Sequence, residues 1–468
     1  MPKISNYNLE DLNLQVSPLN PNNTDFIRLV NMEDDGIGVK KKRPGYATFL
    51  GTPDNSTVNS LFDWHFQDGT TMYLYRATGG TLYYSSQGTG AWTICGNGTF
   101  TAGSPVGNTV IDGTLLLCGD GVANTRHSTT GTSFVDTTAA PKATNFEEYQ
   151  LRAYALGTAN NLVYATTGTP TDWTTDSTSI TIPGAGRNRS LMKVANRLVA
   201  TKTSKEMYRW DGYSLLDMST KLGPSSDQSI GEIENYKIYL NQLGIFGFNG
   251  DTPDIVSNPI ERLVYNDSGS AISGGYFGSA AGVAHQYNYL VSVGTITDNL
   301  TKQTTNNAIL NYDYQRDNSS EYAFGTPQTA WLSYLDETGV QRLIFGDNNG
   351  QCYTFGGTAT TDNGLPIQAE MEIVFHGGDA AQEKKFNQLW LSFSPGCQAH
   401  VQVAFANTFT RETLNWVDVG DVSDGFKEFR FPSGSQSRLM FLRIIETSRN
   451  ARFAFYGYEV DFDWVVRR

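Results

Sequence analysis

The stretch "YYSSQGTGAW" (residues 83–92) recurs in outline as "TRHSTTGTSF" (125–134) and "YATTGTPTDW" (164–173). Each copy starts on a strand-like residue, passes through a Ser/Thr/Gly turn and ends on an aromatic nine positions later. Looser copies follow as "YRWDGYSLLD" (208–217), "FGFNGDTPDI" (246–255), "YDYQRDNSSE" (312–321) and "YTFGGTATTD" (353–362). Their start-to-start spacings are 42, 39, 44, 38, 66 and 41 residues. Period-2 segments lie upstream of these turns: "TMYLYR" (71–76), "GTLLLCG" (113–119), "LRAYALG" (151–157), "RLVATKT" (197–203), "YKIYLNQ" (236–242) and "QRLIFGD" (341–347). Short antiparallel strands in units of about forty residues describe the blades of a β-propeller. One such sheet hides its face only against the next, so single units cannot stand alone. The spacing predicts six or seven blades over residues 60–364, with the weakest unit near 266–325.

Composition agrees with an all-β chain. Aromatics make up 12% of the 468 residues and there are 47 glycines, while charged residues are only 17%. Tyr, Phe, Thr and Val suit pleated surfaces, and Gly and Asn suit turns. The nearest thing to a helical pattern is "NRSLMKVANRL" (188–198), which runs straight into the strand-like "VATKT". The net charge of −13 is unevenly spread: residues 60–364 hold 17 basic and 27 acidic side chains, a net of −10. An acidic middle argues against a surface built to grip nucleic acid.

Cys95, Cys118, Cys352 and Cys397 form no CxxC, and the five histidines show no metal-ligand spacing, so isolated buried thiols are expected. "GDNNG" (346–350) and "NGD" (249–251) offer calcium-type oxygens, but turn formation accounts for the same residues. No cofactor or metal is expected. The N-terminus lacks an apolar leader core, and no run of about 18 apolar residues occurs, so no membrane span is expected.

The flanks differ from the middle. Residues 365–468 alternate apolar and polar residues in "EMEIVF" (370–375), "NQLWLSFS" (387–394), "HVQVAFA" (400–406), "EFRFP" (428–432), "RLMFLRIIET" (438–447) and "RFAFYGYEVDFDW" (452–464), which predicts an antiparallel β-sandwich. The terminal "WVVRR", with Trp464, Arg467 and Arg468, reads either as a strand end or as an exposed contact. Residues 1–59 read as an extended arm with one β-turn at "RPGY", where Pro44-Gly45 suits type II.

The arm also holds Lys40, Lys41, Lys42 and Arg43 in succession. The run admits two readings. One is an interface that meets an acidic surface on a neighbouring copy or another protein. The other is a strand paired with "MEDDG" (32–36), its charges partly neutralised and facing solvent, with "YATFL" (46–50) returning after the turn.

Taken together, the stretch from Asn31 to Tyr46 ("NMEDDGIGVKKKRPGY"), the degenerate propeller and the strands "KKFNQLWLSFSPG" and "RFAFYGYEVDF" resemble tail hub or nozzle proteins of short-tailed bacteriophages, also called packaged-DNA stabilisation proteins. The resemblance implies a structural virion protein assembled in the host cytoplasm. It implies a ring, hexameric by that likeness, below the portal and adaptor, with double-stranded DNA passing through without sequence-specific binding. It carries over no catalytic residue.

The alternative is a glycan-binding or glycan-cleaving propeller. "SSQGTGAW" is reminiscent of the Asp-box turn of sialidases, Ser-x-Asp-x-Gly-x-x-Trp, but Gln87 stands at the Asp position and that turn is a folding element. A sialidase needs clustered arginines, which are sparse here, and carboxylate pairs such as Asp251/Asp254 or Glu232/Glu234 arise by chance in any acidic chain. The lone "WDG" (210–212) lacks the Gly-His partner of a WD40 repeat. A non-enzyme is expected.

Overall fold

A computed structural model describes residues 3–465, except 8, 11, 13–24, 36–37, 52–53, 158–159, 175–177, 258–259, 265–270, 299–302, 409–413, 424, 432–434 and 447–452. The described residues are all-β, apart from a 3-10 turn at Asp227–Ser229 and four-residue helices at Glu261–Val264 and Gly274–Phe277.

The first blade is an antiparallel meander of Val58–His65, Met72–Thr78, Thr81–Ser86 and Thr93–Thr99. Four-stranded sheets of the same order follow at 107–136, 146–181, 188–217 and 231–255. A sixth meander, Ala281–His285, Asn288–Thr297, Thr304–Asp313 and Asn318–Ala323, is part of a larger nine-stranded sheet. The last unit takes Ala330–Leu335, Gln341–Gly346 and Cys352–Phe355 from the propeller and its outer strand, Tyr46–Phe49, from the arm. The ring thus has six separate four-stranded sheets, with the sixth meander filling the place between the fifth and the last. Its first strand packs on those of both neighbours, and the last blade packs on the first.

The repeated turn explains the seal between blades. In the second blade the Ser128 hydroxyl donates to the Ser133 carbonyl (2.6 Å) and accepts from the Gly131 N–H (2.9 Å). Gly131 sits at φ 77°, which glycine adopts without steric cost. The turn delivers Phe134, 1% exposed, into a cluster with Phe62 and Tyr75 of the first blade. Trp173 likewise carries the third blade onto Ile111 and Leu117 of the second. Trp92 of the first blade meets Phe49 of the arm strand, edge to face at 6.4 Å. In these three copies the terminal aromatic therefore packs on the preceding blade, and the first blade's preceding neighbour is the one the arm completes. The "NRSLMKVANRL" segment is two strands, Asn188–Val194 and Arg197–Lys202, joined by left-handed Ala195 and Asn196. All four cysteines are free and buried.

The C-terminal strands do not pair only among themselves. Ala369–Phe375, Leu439–Glu446, Ala399–Ala406 and Val417–Val422 extend the nine-stranded sheet, joined to the sixth meander through arm strand Phe26–Val30. A seven-stranded sheet combines Ala454–Trp464, Lys384–Phe393, Phe426–Arg430 and Gln436–Ser437 with arm strands Lys3–Asn6, Met32–Asp34 and Lys40–Lys42. Rings cross between the sheets: Phe375 lies 6.2 Å from Phe386 and 5.7 Å from Phe462, centroid to centroid. A fully buried phenylalanine contributes about 1.5–3 kcal/mol.

Two local expectations are corrected. Tyr46–Phe49 does not return along the basic strand but pairs with Cys352–Phe355. Gly45 has no positive φ, so Pro44-Gly45 is not a type II turn. Glycine is required there because a Cβ would run into the Thr361 carbonyl.

Candidate functional site

The basic run lies where the arm passes from the seven-stranded sheet into the propeller. Lys40–Lys42 pairs antiparallel with Met32–Asp34, opposing Lys40 to Asp34 and Lys41 to Glu33. Successive side chains of a strand point to opposite faces. Lys40 and Lys42 therefore point inward and Lys41 outward. Lys40 Nζ contacts Asp34 Oδ2 at 2.7 Å, and Lys42 Nζ contacts Glu446 Oε2 at 2.8 Å, with both lysines buried.

Arg43 is more deeply engaged. Its Nη1 and Nη2 donate to the Asp362 carboxylate at 2.9 and 2.7 Å. Nε donates to Asn31 Oδ1 at 2.7 Å. The remaining donors reach the carbonyls of Pro44 and Ala323, both at 2.9 Å. All five guanidinium N–H groups have partners, and the plane lies 4.3 Å from the Phe324 ring. One side chain thus joins the arm, the sixth meander and the segment after the last blade.

The expected external contact through Lys40, Lys42 and Arg43 is therefore corrected: their charges are consumed inside the chain. The paired-strand reading holds in its hairpin with Met32–Asp34 and is corrected in its exposure, since only Lys41 is half exposed, 4.0 Å from Glu33. Trp464 ends its strand partly exposed, edge-on to Phe462 at 5.3 Å and 5.0 Å from the Lys384 ammonium. Burial lowers that ammonium to about 8. Arg467 and Arg468 lie outside the described residues.

A second place of interest is the propeller axis. The first strands of the blades surround a channel of about 340 Å³ lined by Ser60, Asn108, Glu147, Met192, Gly282 and Trp331, among others. Burial pushes the Glu147 carboxyl up to about 7, opposed by Lys237 and Lys193. Burial also raises Asp227, opposed by Arg189.

Sequence reasoning missed Glu147, Asp227 and the acidic partners Asp362 and Glu446. Alternation along a basic strand was the available signal that part of the run faces inward. Among the described residues no group of three His, Cys, Asp or Glu side chains could hold a metal ion. Burial raises the thiols of Cys95 and Cys352 to about 12.

No family model matches the chain, and no curated protein matches it. Solved structures do. U3-55K is similar over 67% of this chain and 100% of its own, at 9% identity and a TM-score of 0.45. The WD40 propeller domain of Doa1 covers 67% of this chain and 97% of its own, at 10% identity and 0.40. Raptor of Chaetomium thermophilum covers 67% of this chain and 29% of its own, at 11% identity and 0.44. These likenesses concern the β-propeller fold alone.

Proposed function

We propose that this chain is a non-enzymatic structural subunit of a bacteriophage tail, a hub or nozzle that forms a homo-oligomeric ring of six beneath the portal and adaptor. In this role it retains packaged DNA and conducts it during ejection, and its place is the virion. The observation that carries the reading is the position of the Asn31–Tyr46 stretch. The residues that carry the resemblance are those that stitch arm, propeller and paired sheets together through Asn31, Arg43 and Asp362. A particle component under ejection load needs such a stitched body more than it needs a mobile arm.

The acidic excess of residues 60–364 supports the DNA part. Like-charged walls let a duplex slide, whereas lysine-rich walls bind phosphates and release counterions. In this reading the duplex runs through the opening between subunits.

Native mass spectrometry and negative-stain imaging of the purified protein test the reading. Six-membered rings with a central opening are expected, with weak binding to duplex DNA at low salt. A monomer that neither forms rings nor joins purified tail complexes would sink it. Reducing ends released from bacterial surface polysaccharide would overturn the non-enzymatic part.

A further inference from the structure

A cavity of about 470 Å³ lies between the sixth meander and the last blade, beside the arm hairpin. Small-molecule sites typically span about 300–1,000 Å³. Amides and hydroxyls, among them Asn288, Asn311, Asn318, Ser319, Gln341 and Thr354, share its wall with charged and apolar side chains. Asparagine and glutamine each present donors and an acceptor side by side, as vicinal hydroxyls require.

The wall is preorganised. Tyr322 Oη donates to Glu33 Oε1 at 2.7 Å. Asn311 Nδ2 donates to Tyr322 Oη at 3.0 Å and to Ser320 Oγ at 3.3 Å, which fixes the amide's orientation. The buried Asn311 Oδ1 and Ser319 Oγ, without a partner among the described residues, are sealed behind this wall rather than open to the cavity.

The charges around the cavity cancel. Arg316 pairs with Asp313 at 2.7 Å, Arg342 with Asp336 at 2.8 Å, and Lys41 faces Glu33. His285 hydrogen-bonds Ser333 Oγ at 3.0 Å, and burial lowers its pKa, which favours the neutral ring. Asp34, the remaining carboxylate of the wall, is held by Lys40 at 2.7 Å, so each lining charge has an opposite partner. The half-buried Phe355 adds apolar surface suited to the C–H face of a sugar ring.

We propose that this cavity binds a neutral hexose-type sugar, either free or as a unit of a neutral polysaccharide. The proposal does not depend on the tail reading, because it concerns the cavity of a single chain.

Saturation-transfer NMR on the full chain tests it. The probes are glucose, galactose and N-acetylglucosamine at millimolar concentration, and a neutral O-antigen polysaccharide. Sialic acid and glucose 6-phosphate serve as charged controls. Transfer to at least one neutral probe is expected, with charged sugars silent. A free sugar alone giving signal assigns a small-molecule ligand; signal from the polymer assigns a unit of a neutral polysaccharide. Asn288→Ala and Gln341→Ala should weaken binding roughly tenfold, the loss of about one good hydrogen bond. Thr354→Trp should abolish it by filling the cavity, while Tyr213→Ser, at a turn of the fourth blade, should leave it intact. Near-UV circular dichroism confirms that each variant is folded. Silence from every neutral probe, preference for a charged sugar, or transfer that survives Thr354→Trp in a folded protein would overturn the proposal.

Discussion

From the first blade to the fifth, neighbours in space are neighbours in sequence, and their joints are apolar. Phe134, Trp173 and Leu198 sit in clusters made from successive blades. The joints that the arm makes with the last two blades and with the C-terminal strands add buried charge to apolar packing: Tyr46 sits among Phe324, Phe345 and Tyr353, while Arg43 holds Asp362, Lys42 holds Glu446, and Arg28 with Arg443 surround Glu370. The paired charges lie 319 residues apart for Arg43 and Asp362, and 404 for Lys42 and Glu446. Closing a longer loop costs only logarithmically more, so distance alone does not demand special chemistry. What it demands is choice. An arm rich in short strands has many sheet edges to add to, and apolar contacts discriminate poorly among them. A buried cation tolerates only the place where its carboxylate waits. For this protein we read the buried pairs as devices of registry more than of stability, since such pairs often contribute little beyond an apolar replacement.

Arg43→Ala should produce the largest effect. It strands the buried Asp362 carboxylate, and breaking a buried pair costs about 3–5 kcal/mol. Arg43→Met combined with Asp362→Leu should recover most of that loss, whereas Phe134→Ala, at about 3–5 kcal/mol, leaves a cavity that no polar change repairs. Calorimetric melting of the four proteins checks the contrast. If Arg43→Ala melts like the parent, charge does not hold the joint.

Gly45→Ala attacks the same joint without touching a charge. The new methyl meets the Thr361 backbone, which cannot yield as a side chain would. Overpacking of this kind typically costs about 1–3 kcal/mol. Limited proteolysis with mass mapping should show faster cleavage of the arm in the variant, while the first five blades stay resistant. Equal cleavage of arm and blades would mean that the arm does not open on its own.

The propeller axis should respond to pH. Burial raises the Glu147 carboxyl to about 7, above its ordinary value of 4.5. A raised acid holds its proton more tightly folded than unfolded. Its stabilisation is fully present below about 4.5 and is lost as pH rises through about 7. Glu147→Gln should therefore melt like the parent near pH 5 and outlast it at pH 8, by on the order of 1–2 kcal/mol, the full linkage being reduced by solvent in the channel. Parallel pH profiles of the two proteins would refute this.

The apolar half of the comparison was legible in the sequence because it is local. Turn and aromatic lie within ten residues, and the period-2 segments became the second strands of their blades, as at Met72–Thr78 and Gln341–Gly346. The sixth meander was obscured because its strands Asn288–Thr297 and Thr304–Asp313 run to ten residues and two short helices precede it, stretching the spacing to 66. The charged half was not legible. Nothing near Tyr46 announces that its strand partner is Phe355, and nothing near Arg43 points to Asp362. The period of two was present in "KKKR", but the string alone does not say that both faces are covered. The sugar-type cavity was hidden for the same reason, its wall being drawn from residues 29 to 357.

The smallest expected effect tests the outward face of the basic strand. Lys41 is half exposed, and its 4.0 Å approach to Glu33 is a surface pair contributing about 0–1 kcal/mol. Lys41→Glu should therefore fold and melt within about 1 kcal/mol of the parent. Lys40→Glu and Lys42→Glu place a carboxylate against Asp34 or Glu446 in the interior, and both should fold poorly. If the protein assembles into rings, Lys41 is the one member of the run left to meet an acidic neighbour. Charges at the rim of an interface act chiefly on association rate and its salt dependence. Slower, less salt-sensitive ring formation by Lys41→Glu would extend the rule of charged joints from the inside of the chain to its outside. Unchanged assembly would confine it to the interior, and normal folding of Lys40→Glu would show that the inward face is not closed at all.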